Sequence, residues 1–245
     1  MSLETRGVLH VEDTDGHRVL TFDRPEVLNA FDQDLWLAIR GALVDAADDD
    51  GLRCVVLTGA GRAFTSGVDL GDLENPERFG DEEPGYNQLM PVVETFPKPL
   101  LAAVNGVAVG IGATILPHCD IAYVSSEARL KMPFISLGVT TEASASYLLP
   151  ATVGWQRAAE LLYTEPWISP DDAVELGLAR RVCEPDRLLP ETRELAARIG
   201  ALPLGPLMAT KRLLVAGRVD AIRAAREREL EAFGPLVEAL LADGR

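Results

Sequence analysis

The segment from Pro99 to Pro117, PLLAAVNGVAVGIGATILP, constrains this chain more than any other. It is about as long as a membrane span of roughly 20 residues, and Gly106 and Gly110 are spaced like a helix-dimerising pair. Asn105 interrupts it, however, while Gly106, Gly110 and Gly112 weaken a continuous helix and no cluster of positive charge flanks either end. The run therefore predicts a buried strand over Leu100 to Val104, a turn, and a buried helix from about Gly110.

Other segments repeat this logic. Val8 to Glu12 and Arg18 to Phe22 flank Asp15-Gly16 as a hairpin, and Phe31, Leu35, Leu37, Ile39 and Leu43 set a helical period from about Asp32. Cys54 to Thr58 and Ile121 to Val124 read as short buried strands, so strands alternating with helices give an α/β class. Leu70 to Pro97 turns polar and acidic and reads either as a mobile lid or as a solvated surface loop. From about Ser169 the pattern reads as wholly helical: Pro170 to Leu176, Leu188 to Ile199, Pro206 to Val215 and Val219 to Leu241. No internal repeat or linker divides the 245 residues, which predicts one domain with a helical C-terminal region.

Charge excludes some partners. Lys and Arg total 23 against 38 Asp and Glu, a net −15, so nucleic acid and membrane surfaces are not expected partners, although a small anionic ligand can still be held locally. Cys54, Cys119 and Cys183 are too scattered for a disulfide framework or a metal pair. They fit a reducing, cytoplasmic setting, and Met1 to Arg6 reads as neither a signal nor a transit peptide.

The candidate chemistry is narrow. Gly59-Ala60-Gly61 and Gly110-Ile111-Gly112 lack the third glycine or Gly-Lys-Ser/Thr of nucleotide loops. Each follows a predicted strand and enters a turn, where unpaired N–H groups can be aimed at one oxygen, although tight-turn glycines without such a role are common. His10, His17 and His118 have no metal spacing and read as structural, and Ser66, Ser144 and Ser146 sit in no nucleophile elbow.

Taken together, several motifs carry a family likeness. Arg24-Pro25 with Asn29-Ala30, the stretch from Leu57 to Leu70 (LTGAGRAFTSGVDL) and Ala103 to Gly112 (AVNGVAVGIG) resemble the enoyl-CoA hydratase/isomerase, or crotonase, superfamily. So do Cys119-Asp120-Ile121-Ala122, Pro133-Phe134 with Leu137-Gly138, Ser169 to Leu178, and Thr210-Lys211, in order along nearly the whole chain. The resemblance implies a spiral of ββα turns over residues 1–195, with residues 196–245 as a helical oligomerisation region of the same domain. It further implies a homotrimer or dimer of trimers and an acyl-CoA thioester substrate, with no metal and no cofactor apart from the CoA of the substrate. The N–H groups of Val68 and Ile111 would form an oxyanion hole, with Ile111 replacing the family's usual glycine and Ser66 its usual alanine. Arg24, Asn29, Ala30, Arg62, Ser66, Gly67, Val68, Asp69 and Leu70 would form the CoA-binding region.

The reaction is read from absences as well as presences. Family hydratases use two glutamates where this chain has Thr114 and Phe134, and neither side chain is an acid or base at neutral pH. Glu142 follows in a small, uncharged neighbourhood, where burial would raise its pKa. Pro133 to Gly138 followed by Glu142 resembles the Δ3,Δ2-enoyl-CoA isomerase branch, which implies that Glu142 is the one catalytic glutamate. Otherwise Glu142 merely favours a helix N-terminus. A double-bond isomerase is the leading expectation. Another crotonase-type reaction (hydratase, hydrolase or lyase) and an idle acyl-CoA-binding oligomer are the alternatives.

Overall fold

A computed structural model describes residues 7–69, 71 and 83–242. Strands β1 (Leu9–Thr14) and β2 (His17–Phe22) form the expected hairpin, with Thr14 paired to His17. Asp15 and Gly16 both take positive φ, 46° and 75°, as a two-residue turn matching the strand twist requires. Helix α1 (Gln33–Asp48) starts at Asp32, whose side chain accepts the Leu35 amide at 2.9 Å.

From there the chain winds as a spiral. Strands β3 (Cys54–Gly59), β5 (Leu100–Val104), β7 (Ile121–Ser125) and β9 (Arg181–Cys183) extend the hairpin into a six-stranded sheet, β1-β2-β3-β5-β7-β9, parallel from β2 onwards. Strands β4 (Ala63–Thr65), β6 (Val107–Val109) and β8 (Arg129–Lys131) form a second, all-parallel sheet. Successive strands therefore alternate between the two sheets, so each turn of the chain adds one strand to each. β3 and β5 are sandwiched: Val55, Leu57, Leu100 and Ala102 face the main core, while Cys54, Val56, Leu101 and Ala103 pack beneath helix α7 (Pro185–Gly200). Burial on both faces explains why these strands read as unbroken apolar runs.

The helical parts differ from expectation in four places. The Pro99–Pro117 run holds β5, then β6, and only a four-residue helix α3 (Ile111–Thr114), because Gly106 lets the strand turn where a Cβ would collide with the Arg62 carbonyl. The expected lid or loop from Leu70 to Pro97 contains helix α2 (Gly85–Thr95), whose Leu89, Met90 and Val93 are buried; Leu70 and residues 72–82 lie outside the described residues. Helices α4 (Ala145–Val153) and α5 (Trp155–Thr164) precede Ser169. Beyond it, α6 (Pro170–Glu175), α7, α8 (Leu204–Ala216) and α9 (Val219–Ala242) are joined by β9, so that stretch is not wholly helical. Among the described residues no single helix is long and apolar enough to cross a membrane.

Lys211 on α8 donates to both Asp120 oxygens, at 2.6 and 2.8 Å, and Asp120 also accepts the Leu100 amide. That pair ties the C-terminal helices to the sheet at the mouth of β5 and β7.

Candidate active site

Two tight turns and one loop converge. After β4, Gly67 turns at φ 106°, and after β6, Gly110 turns at φ 55°, both in the region open chiefly to glycine. A Cβ placed on Gly110 would lie 3.9 Å from the Gly67 Cα and 3.8 Å from Glu142 Oε1. The first turn, the second turn and the glutamate therefore share one small space.

The first turn is held by main-chain bonds. Phe31 donates to the Gly67 carbonyl at 2.8 Å, and Asp69 donates to the Phe31 carbonyl at 3.0 Å, so Phe31 brackets Val68 in a parallel bridge. Neither bond uses the Val68 N–H, and it finds no acceptor among the described residues. At the second turn Gly110 donates to Lys131 and accepts from Ala113 and Thr114, while the nearby Ile111 amide favours the ionised form of Glu142. The Ile111 side chain is fully buried in the main core, so replacing glycine here fills the core.

Glu142 is half-buried, and burial together with the nearby Glu229 carboxyl pushes its pKa up to about 7. It precedes α4 by two unusual residues, Ala143 at φ 58° and Ser144 at φ 57°. Each has firm partners. The Ala143 amide donates to the Tyr86 hydroxyl at 2.8 Å and its carbonyl accepts from His118 Nε2 at 2.8 Å, while Ser144 Oγ donates to the Ile222 carbonyl at 2.9 Å. Burial lowers His118 to about 4, so the ring is neutral and serves as a donor to this carbonyl, in keeping with its structural reading. Phe31, Trp36 and Tyr86 stack edge to face, with centroids 4.7 and 5.7 Å apart, and connect the first turn to the Glu142 loop.

No carboxyl stands at the two earlier positions. Thr114 is buried and its hydroxyl is spent on the Gly110 carbonyl at 3.1 Å. Phe134 is buried in the main core.

The residues expected to surround CoA divide into scaffold and surface. Asn29 is fully buried: it accepts the Arg24 amide and donates to the Ala60 and Ala63 carbonyls. The Arg24 guanidinium is paired with Asp32 at 3.0 Å and Asp69 at 3.2 Å, and also donates to the Ala30 carbonyl. Ser66 donates through Oγ to Val27 and through its amide to Leu28. These residues fold the turn that carries Val68. Arg62 is exposed and enters no ion pair among the described residues.

One member of this arrangement escaped the sequence reading. Glu229 on α9 is 6% exposed and accepts the Ser144 amide at 2.7 Å and the Ser146 amide at 2.8 Å. Its signal was positional: it falls seven residues after Ile222 and four after Ala225, on the one buried stripe of that helix.

Fold and site define a class: a spiral α/β protein in which glycine turns set main-chain amides beside a carboxyl of raised pKa. A sequence model of the family described as Enoyl-CoA hydratase/isomerase matches residues 12–239. The crotonyl-CoA hydratase of Syntrophomonas wolfei is 32% identical over 219 residues, 88% of this chain and 84% of that protein. The 1,2-epoxyphenylacetyl-CoA isomerase of Escherichia coli K12 is 34% identical over 200 residues, 79% of this chain and 76% of that protein. Among solved structures, an enoyl-CoA hydratase/isomerase from Pseudoalteromonas atlantica T6c superposes with a TM-score of 0.91 at 33% identity, covering 94% of this chain and 91% of that one. The chain belongs to the enoyl-CoA hydratase/isomerase family, whose members process acyl-CoA thioesters.

Proposed function

We propose that this enzyme shifts the double bond of a 3-enoyl-CoA to give the 2-enoyl-CoA, with Glu142 as the acid–base group. The observation that carries the reading is the placement of Glu142 Oε1 against the Gly110 turn, with Thr114 and Phe134 at the two positions where the resemblance puts the glutamates of hydratases.

In this reading the thioester oxygen takes the N–H groups of Val68 and Ile111. Glu142 removes a proton from the α-carbon, and the electron pair of that C–H bond delocalises into the enolate oxygen and the C3–C4 alkene. The same carboxyl then returns the proton to the γ-carbon, leaving the double bond between C2 and C3. When the substrate oxygen claims the Ile111 amide, Glu142 loses a contact that favours its ionised form. Its appetite for a proton therefore rises as the substrate arrives.

The CoA moiety passes over the turn of Ser66, Gly67, Val68 and Asp69, with Arg62 facing its anionic end and Arg24, Asn29 and Ala30 shaping the turn from behind. No further cofactor enters the scheme. Purified protein offered matched 3-enoyl- and 2-enoyl-CoA thioesters should isomerise the first faster than it hydrates the second. Glu142→Gln should lower isomerase turnover by about a hundred- to ten-thousand-fold with acyl-CoA binding retained. Faster hydration by the wild type, or full turnover in the variant, overturns the reading.

A further inference from the structure

Helix α4 could have been capped by its own sequence. Ser144 occupies the N-cap position, but its hydroxyl is turned away to the Ile222 carbonyl, and a carboxyl from a distant helix takes its place. A buried carboxylate is a costly substitute for a neutral cap, since it must be stripped of water. The two oxygens of Glu229 meet the Ser144 and Ser146 amides at 2.7 and 2.8 Å, at the positive end of α4 and two residues beyond Glu142.

We infer that Glu229 is a positioning residue for the reaction: through the Ser144 and Ser146 amides it clamps the loop that aims Glu142, and its carboxyl sets a negative charge beside that loop. The inference rests on the isomerase reading for the role of Glu142.

Among the described residues, Glu229 is the charged side chain that acts on Glu142. On α2, Glu94 pairs with Arg226 of α9 at 2.7 Å, so those two cancel one another. Tyr86 is held neutral, its pKa well above the ordinary value through burial and the nearby Glu142. His118 is neutral as well, and Lys211 is committed to Asp120. Burial raises the pKa of Glu229 above the ordinary value, while Ser146, the two amides and Arg228 pull against that shift. Two main-chain N–H donors favour the ionised form of the carboxyl that accepts them.

The test is a pair of titrations. In the wild type, carbon NMR of the glutamate carboxyls should show Glu229 ionised throughout the pH range over which Glu142 titrates; if Glu229 takes up its proton together with Glu142 or at higher pH, the inference is overturned. This measurement needs no variant to fold. In Glu229→Gln, the Glu142 midpoint and the acid limb of kcat should both move to lower pH, by about half to one unit, with plateau turnover down several-fold as the base weakens. Glu229→Asp keeps the charge and slackens the clamp, so plateau turnover should fall with the acid limb in place. A merely structural Glu229 would lower turnover in both variants with the limb unmoved, and that result overturns the inference. Glu142→Gln separates the two ideas: if it retains turnover, the isomerase reading fails, while the NMR midpoint still reports whether Glu229 tunes Glu142.

Discussion

The Ala143 amide donates to the Tyr86 hydroxyl at 2.8 Å, tying α2 to a loop residue held in left-handed backbone geometry. Removing that oxygen leaves a buried N–H without a partner beside the carboxyl of Glu142. Tyr86→Phe is expected to cost about 1–3 kcal/mol of stability, measured by thermal or denaturant unfolding. Turnover should fall further than KM rises, because the loop that loosens carries the proposed base and not the proposed CoA contacts. Unchanged turnover in a folded Tyr86→Phe variant would refute this.

Glu142 also sets a pH dependence of stability. Its carboxyl holds a proton more tightly in the folded chain, at about 7, than the ordinary value of 4.5. The contribution is therefore full below about pH 4.5 and lost as pH rises towards 7. Solvent contact at the half-buried site leaves about 2 kcal/mol of this. Glu142→Gln should accordingly be more stable than the wild type at pH 8 and not at pH 4, by urea unfolding at both. Its catalytic loss and its gain in stability would come from the same carboxyl.

The two arginines near the first turn are expected to separate. Arg24→Ala breaks pairs with Asp32 and Asp69 and should lower the melting temperature. Arg62→Ala, at an exposed side chain, should leave the melting temperature alone and weaken acyl-CoA binding in calorimetry. Equal affinity in the Arg62 variant would remove that cation from the CoA path.

Leu213 and Leu214 on α8 are 75% and 67% exposed, and Leu236 on α9 is 39% exposed. Apolar side chains so placed on neighbouring helices are expected to be covered by further copies of this chain. Light scattering at micromolar concentration should report an oligomer, and Leu213→Asp with Leu214→Asp should shift it towards monomer. A monomeric wild type would contradict the expectation.

Much of the fold was legible because its strands are short, apolar and bounded by glycine. Asp15-Gly16 named its hairpin and Asp32 its helix start. Helix α2 was hidden because the acidic run before it suggested one continuous loop, and Pro91 inside it broke the expected pattern. β9 was missed because three residues carry too little periodicity to register among helices. In the site, the glycine turns and Glu142 could be found from local sequence, and the main-chain bond from Phe31 to Gly67 could not. The pairing of Arg24 with Asp32 and Asp69 was not legible either, since sequence does not show which charges meet.

The Val68 and Ile111 amides belong to the backbone, and that has an evolutionary consequence. No point mutation deletes a main-chain N–H except a change to proline, so the glycine turns hold such donors through wide divergence. A side-chain carboxyl has no such protection, since one substitution removes it while the turns stay as they are. Within such a scaffold, a lineage can change its reaction by moving one acid along the chain, and its descendants will look alike in shape long after they have ceased to do the same chemistry.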